Sequence, residues 1–105
     1  MTEYDPFPAG RYTKPVSISA QAVKAAAQRL AEFPAILRDE TQSLNDEQWR
    51  TKTLPGIWTI KQIVHHLADS HMNAMIRTKM ALTEENPTIK PYDEGKWAAL
   101  PDNDL

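Results

Sequence analysis

Cysteine is absent from the 105 residues of this sequence. Its absence excludes disulfide bonds, thiolate metal ligands and a cysteine nucleophile. Any metal ion would therefore have to be held by histidine and carboxylate side chains. The chain has three histidines, His65, His66 and His71, and all of them fall in the short segment "IVHHLADSHMN".

A strong charge excess and a long apolar run are also missing. Lys and Arg number 12 and Asp and Glu number 14, so the formal net charge is -2 and nucleic acid is not an expected partner. No apolar stretch approaches the roughly 18 residues that span a bilayer. The start, "MTEYDPFPAG", lacks the basic and apolar regions of a signal peptide. We therefore expect a cytoplasmic protein with no membrane partner.

The composition that remains is typical of a globular protein, with 41% apolar and 25% charged residues. A chain of this length has room for a single domain with a modest core, which we place over residues 1–105. Residues 1–16 predict an extended arm, because several prolines and a glycine interrupt any helical period.

Two long helices follow the arm. Residues 17–44 are rich in Ala, Leu, Gln, Arg and Glu, with apolar residues at three and four spacing. Pro34 predicts a kink or a break in this helix, and the periodicity favours the kink. The second helix is predicted over 59–85, where Thr59 and Gln62 have the spacing of a capping box.

The connecting segments are short. Residues 45–58 predict a short helix and a loop, and residues 86–105 a loop with one helical turn near residues 94–100. No alternating strand pattern persists anywhere in the sequence. The prediction is an all-α fold.

The second helix carries a polar stripe. At about 100° per residue, four polar residues lie within roughly 60° of His66: Asp69, Ser70, Asn73 and Arg77. An apolar belt flanks the stripe. The stripe is either a half-exposed face that meets water or a buried row whose partners are supplied by other elements. His65 lies on the far face of the helix with Lys61 and Lys79. The two lysines predict that this face meets solvent, so His65 is the poorest candidate ligand.

The histidines cannot all bind one metal ion. His66 and His71 are five positions apart and point roughly 140° apart, whereas two ligands on one helix need i, i+3 or i, i+4 spacing. His71 falls among apolar positions, which favours a core histidine hydrogen-bonded to the arm or a loop. Asp69 could be a ligand, an orienter of the His66 ring, or the ion-pair partner of Arg77.

A second acidic pair lies near the carboxy terminus. Asp93 and Glu94 in "KPYDEGKW" are further candidate ligands. The same pattern equally fits a capped turn with Trp97 packed on the bundle.

The stretch "GIWTIKQIVHHLADSHMN", continued by "RTKMALTEENPTIKPYDEGKW", closely resembles the YfiT subfamily of DinB-like proteins, as does the arm "FPAGRYTKPVSIS". The family is described as bacillithiol S-transferases and as metal-dependent hydrolases. The resemblance covers nearly all 105 residues. It implies an up-and-down four-helix bundle, a homodimer, and a divalent nickel or zinc ion held by three histidines.

The resemblance assigns the first of these ligands to His66. The other two belong to an HxxxH pair on the last helix of the family, and no histidine follows His71 here. The chain resembles the amino-terminal part of a family member, with two of the four helices. We therefore expect an incomplete domain that holds metal weakly, or not at all, and is inactive alone. Its open apolar faces predict self-association.

The resemblance implies transfer of a small thiol to an electrophile, by way of a metal-activated thiolate. From their direction on the helix, Asp69 would assist a ligand or accept a proton, and Asn73 and Arg77 would bind an anionic thiol. Two alternatives stay open: hydrolysis by metal-bound water, and a non-catalytic helical binding or structural protein.

Overall fold

The computed structural model describes residues 10–52 and 57–104, and within these ranges the chain forms helices and no strand. The α-helices are α1 (Ala20–Thr41), α2 (Asp46–Trp49), α3 (Ile60–Thr83) and α4 (Glu94–Ala98), and a 3₁₀ turn spans Pro101–Asp104. The predicted all-α class is confirmed. Most of the predicted arm, residues 1–9, lies outside the described residues.

The chain divides into two compact units, Met1–Leu44 and Asn45–Leu105. In the first unit, α1 begins where the Ser19 hydroxyl accepts a hydrogen bond from the Ala22 N–H at 3.0 Å. The helix runs through Pro34 without ending, so the alternative of a break is wrong. Residues with good helix propensity on both sides of the proline, among them Ala, Leu, Arg and Glu, stabilise the helix.

In the second unit, α3 begins with a complete capping box. The Thr59 hydroxyl accepts from the Gln62 N–H at 3.1 Å, and the Gln62 side chain accepts from the Thr59 N–H at 2.9 Å. The helix ends at Thr83, and Asn86 adopts a positive φ of 48° directly before Pro87. This turn sends the chain back along α3, where residues 88–93 and α4 lie.

The carboxy-terminal segment packs on the first turn of α3. The Gln62 side-chain amide donates to the Ala98 carbonyl at 3.0 Å, and the Lys61 ammonium donates to the Asp104 carbonyl at 2.7 Å. Among the described residues, Ala98 and Asn103 are the buried ones, at 2% and 7% exposure. The compact centre of this unit is therefore small and lies at the amino-terminal end of α3.

Arg50 ties the same segment to the end of α2. Its guanidinium donates to the Asp104 carboxylate in an exposed ion pair. This hydrogen bond and the Arg50 charge, with a smaller effect of Lys61, hold the pKa of Asp104 below its ordinary value of 3.8.

Candidate metal and ligand site on the second long helix

On α3, the residues of the predicted polar stripe are more buried than several apolar residues on other faces of the helix. His66, Asp69, Ser70, Asn73 and Arg77 are all half-buried. By contrast, three apolar residues of the same helix are at least half exposed: Met72 at 50%, Met75 at 57% and Ile76 at 54%. The stripe is thus neither fully exposed to solvent nor fully buried. Its polar groups are partly sheltered by residues from outside the helix.

Trp58 shelters the amino-terminal end of the stripe. Its ring lies against the His66 imidazole, with centroids 4.9 Å apart and planes tilted by 54°. In the part of the chain that the structure describes, neither the His66 ring nor the Asp69 carboxylate makes a hydrogen bond or ion pair. Aromatic contact therefore holds the His66 ring while its nitrogens keep their capacity to bind.

His66 and Asp69 are three residues apart on one helix face, a spacing at which two side chains can reach a common ion. Across residues 10–52 and 57–104, however, no group of three His, Asp or Glu side chains is placed to hold a metal. A structural or catalytic metal needs at least three protein ligands. The described residues therefore supply part of a metal site and do not complete one.

The carboxy-terminal end of the stripe contacts the returning chain. Arg77 donates to the Lys90 carbonyl at 3.3 Å, and the Asn73 side chain donates to the Asp69 carbonyl within α3 at 2.8 Å. The ordinary helix ion pair between Asp69 and Arg77, one of the predicted alternatives, is not among the ion pairs of the described residues.

Asn73 and Arg77 also line a groove of about 420 Å³. Its other walls come from Ile76 and Met80 of α3 and from the segment that includes Lys90, Tyr92, Asp93 and Trp97. The rings of Tyr92 and Trp97 pack at 4.6 Å and are tilted by 50°. The groove thus combines two aromatic side chains with a guanidinium.

The candidate residues form a line and not a cluster. At 1.5 Å per residue, Asp69 is roughly 4 Å from His66 along the helix axis, Asn73 roughly 10 Å and Arg77 roughly 16 Å. Asp69 can therefore act beside anything that His66 holds. Asn73 and Arg77 can contact only the far end of an extended molecule.

The predicted placements of the other two histidines, His65 on the solvent side and His71 in the core, are wrong, while the low rank of His65 as a ligand stays a prediction. His65 is half-buried and lines a second groove, of about 350 Å³, with Asp46 and Trp49 of α2, so it does not lie on the solvent side. His71 is exposed, not in the core, although it interacts with another group. A helical projection predicts the directions of side chains on one helix, but it cannot show which side α2 covers.

The acidic pair near the carboxy terminus forms the capped turn. The Asp93 side chain accepts from the Lys96 N–H at 3.0 Å and begins α4. Three neighbours of the stripe were not predictable from helical periodicity: Trp58, Tyr92 and Lys90. For the two aromatics a signal existed, since each lies in a short segment directly before a helix cap.

The family of the chain follows from comparison with known proteins. Residues 12–103 match the DinB superfamily over most of the chain. The chain belongs to this superfamily. It is 54% identical over 76 residues to a candidate metal-dependent hydrolase of Oceanobacillus iheyensis, covering 72% of this chain and 44% of the relative. It is 44% identical over 99 residues to a candidate metal-dependent hydrolase of Bacillus cereus strain B4264, covering 94% and 57%.

A solved structure supports the same placement. The DinB-superfamily chain matches YfiT from Bacillus subtilis with a TM-score of 0.88 and 46% identity, over 93% of this chain and 56% of YfiT. YfiT is described as a probable metal-dependent hydrolase with an unusual four-helix bundle topology. The predicted family and four-helix-bundle class are confirmed.

The chain spans about half the length of the curated relatives it matches. None of the helices in the described ranges combines the length and the apolar character needed to cross a membrane.

Proposed function

We propose that this chain supplies His66 and the polar stripe to a metal-dependent transferase that moves a small thiol, of the bacillithiol type, onto electrophilic substrates. The observation that carries the proposal is the state of His66, whose ring is held by Trp58 while its nitrogens make no hydrogen bond within the described residues. The names of the relatives support a divalent metal, for which we propose nickel or zinc. The remaining ligands would come from outside the described residues.

The line of residues along α3 suggests a division of roles. Asp69, closest to His66, would orient a bound group or accept its proton. Asn73 and Arg77 would bind the anionic end of the thiol, because they are too far along the helix to touch a group held at His66. A bound divalent metal would make the thiol more acidic at neutral pH. The proposed compartment is the cytoplasm, and the proposed assembly is a homodimer.

Hydrolysis is the second candidate. The relatives are named as candidate metal-dependent hydrolases, and a metal site that activates a thiol can also activate water. Thiol transfer needs side chains that bind the thiol, for which we propose Asn73 and Arg77, whereas hydrolysis does not need a thiol. Loss of activity on removing Arg77 would therefore favour thiol transfer over hydrolysis.

Metal binding by the chain itself tests the role of His66. We would keep Trp58 as the sole tryptophan by Trp49→Phe and Trp97→Phe, and titrate with Ni²⁺ while following fluorescence. We expect quenching of Trp58 that His66→Ala abolishes and that the matched His65→Ala leaves unchanged. Metal content by mass spectrometry on the same samples gives the stoichiometry. Equal quenching in both histidine variants would mean that His66 is not the ligand. No metal in any sample would mean that binding requires ligands outside this chain, and the chimera would then decide between the enzyme and the non-catalytic alternative.

A chimera tests the reaction. Residues 12–103 would replace the matching part of Bacillus subtilis YfiT, and loss of an electrophile would be followed with and without added thiol. Thiol-dependent loss that His66→Ala removes is the expected result. Loss of the electrophile at the same rate in water alone would establish hydrolysis instead.

A further inference from the structure

Arg77 is a cation in the groove, and no carboxylate of residues 10–52 and 57–104 forms an ion pair with it. It is half-buried, and its one hydrogen bond within the described ranges goes to the neutral Lys90 carbonyl at 3.3 Å. Neither of the ion pairs in the described residues includes it. A guanidinium has five N–H donors in a planar fork, so most of its donors remain available.

The other charged groups of the groove do not neutralise Arg77. Lys90 is a second cationic residue of the segment that lines the groove, and it too is in neither ion pair of the described ranges. Asp93 is the carboxylate of the lining. Its Oδ1 accepts from the Lys96 N–H, and its Oδ2 lies 4.0 Å from the Lys96 ammonium. The groove therefore has an excess of positive charge and favours a bound anion.

The volume and lining of the groove favour a ring. Its volume, about 420 Å³, is within the range of roughly 300–1,000 Å³ that is usual for small-molecule sites. Tyr92 and Trp97 form one wall, and Ile76 and Met80 of α3 form another. Flat rings pack well on such aromatic walls.

We propose that this groove binds a molecule in which a ring lies next to a carboxylate or phosphate group. The Arg77 guanidinium donates hydrogen bonds to two oxygens of the anion, and the charge of Lys90 adds to the attraction. The ring packs on Tyr92 and Trp97. The inference deepens the proposed function and rests on it for the use of the bound molecule, which is the far end of the thiol. Binding itself requires no metal.

Nuclear magnetic resonance tests the groove directly on the metal-free ¹⁵N-labelled chain. The probes are benzoate and phenyl phosphate, with benzyl alcohol as the neutral ring and acetate and inorganic phosphate as anions without a ring. We expect saturable shifts of the Trp97 indole N–H for the first two probes, with Kd roughly millimolar for so few atoms. Trp49 and Trp58 serve as internal controls. The tighter of the two aryl anions identifies a carboxylate or a phosphate as the natural group.

Variants separate recognition from general charge effects. Arg77→Gln should weaken benzoate or phenyl phosphate at least about tenfold, the loss of about 1.4 kcal/mol of binding. The matched change Arg29→Gln, on α1, should leave the affinity unchanged. Arg77→Lys keeps the positive charge but not the planar guanidinium, so its affinity for the aryl anions should lie between those of the wild type and Arg77→Gln. Tyr92→Leu, which removes one ring and keeps apolar volume, should weaken the aryl anions but not acetate.

Several results would overturn the inference. These are shifts at Trp97 that do not saturate, equal binding of benzyl alcohol, or equal effects of Arg77→Gln and Arg29→Gln in variants whose helical circular dichroism is unchanged. The test is also independent of the metal test. It reports at Trp97 without metal, whereas metal binding reports at Trp58, so either proposal can fail while the other holds.

Discussion

At the scale of single residues, Asp104 is where charge and structure are most directly linked. The hydrogen bond from Arg50 and the charge of Arg50 hold its pKa below 3.8. A carboxyl group whose pKa is lowered by folding stabilises the fold above its unfolded pKa, and this stabilisation is lost as the pH falls through the folded pKa. Contacts of the 3₁₀ turn Pro101–Asp104 should therefore weaken below pH 3.8.

Carboxyl ¹³C shifts followed against pH measure this directly. We expect an Asp104 midpoint below 3.8 in the wild type and a rise towards 3.8 in Arg50→Gln. Arg29→Gln, a change of equal charge in the other unit, serves as the control. High salt should reduce the difference, since the pair is exposed. An Asp104 midpoint that does not move in Arg50→Gln would show that the ion pair does not form in solution.

Neighbouring residues on one helix can meet very different surroundings. His65 lines the groove beside α2, while His66 lies against Trp58 on the polar stripe. A helical projection places His65 on one face with Lys61 and Lys79, and the two lysines predict that this face meets solvent. Lys61 is instead half-buried and donates to the Asp104 carbonyl, 43 positions away. A lysine side chain is long and flexible, so its presence on a helix face is weak evidence that the face is exposed to solvent.

At the scale of elements, Gln62 joins two helices through its two ends. Its carbonyl completes the capping box of α3, and its amide donates to the Ala98 carbonyl at the end of α4. Gln62→Glu should keep the cap, because a carboxylate accepts from the Thr59 N–H, but it cannot donate to Ala98. Gln62→Ala should lose both contacts.

Chemical denaturation with hydrogen exchange separates these two contributions. We expect Gln62→Ala to lower the free energy of unfolding by about 1–2 kcal/mol, and Gln62→Glu to lower it by less. Both variants should increase amide exchange in α4, whereas only Gln62→Ala should increase it in the first turn of α3. Thr59→Ala is the reference for loss of the cap alone. Unchanged exchange in α4 for both variants would argue against the contact with Ala98.

Helix limits were predictable because their signals are local. Thr59 with Gln62 forms the predicted capping box, Asn45 with Gln48 forms a second one at the start of the predicted short helix, and Ser19 begins α1 inside the predicted 17–44. These patterns span three or four residues, so the sequence contains them whole. The polar stripe was predictable for the same reason, because one helix fixes the directions of its own side chains.

The surroundings of the stripe were not predictable in the same way. Arg77 contacts Lys90 only because the turn at Asn86 and Pro87 reverses the chain, and a change of a few degrees there would place Lys90 elsewhere. Contacts of this kind depend on tertiary packing. The sequence therefore predicted the candidate residues on α3 but neither the groove nor the contact between Trp58 and His66.

At the scale of the whole molecule, both long helices present apolar side chains to solvent. On α1 the most exposed are Val23 at 57% and Leu30 at 60%, and on α3 Met75 at 57% and Leu82 at 80%. YfiT, which this chain covers over 56% of its length, has a four-helix bundle topology. Exposed apolar surface of this extent favours association.

Met75 and Leu82 test this association without affecting the candidate site. They are seven residues apart on one face of α3, roughly opposite His66. If two copies pair through this face, the double change Met75→Gln and Leu82→Gln should weaken the dimer about tenfold or more, because burial of each side chain contributes about 1.5–3 kcal/mol. Lys79→Gln, between them on the same face, is the polar control and should have little effect.

Sedimentation equilibrium over a range of concentrations gives the masses. Since the chain mass is 11.9 kDa, the wild type should sediment above this value and the double variant should approach it. A wild-type mass of 11.9 kDa at every concentration, together with cooperative unfolding, would mean that the chain is stable alone with its apolar face exposed. In that case, the apolar face that lies opposite His66 on α3 would not be an assembly surface.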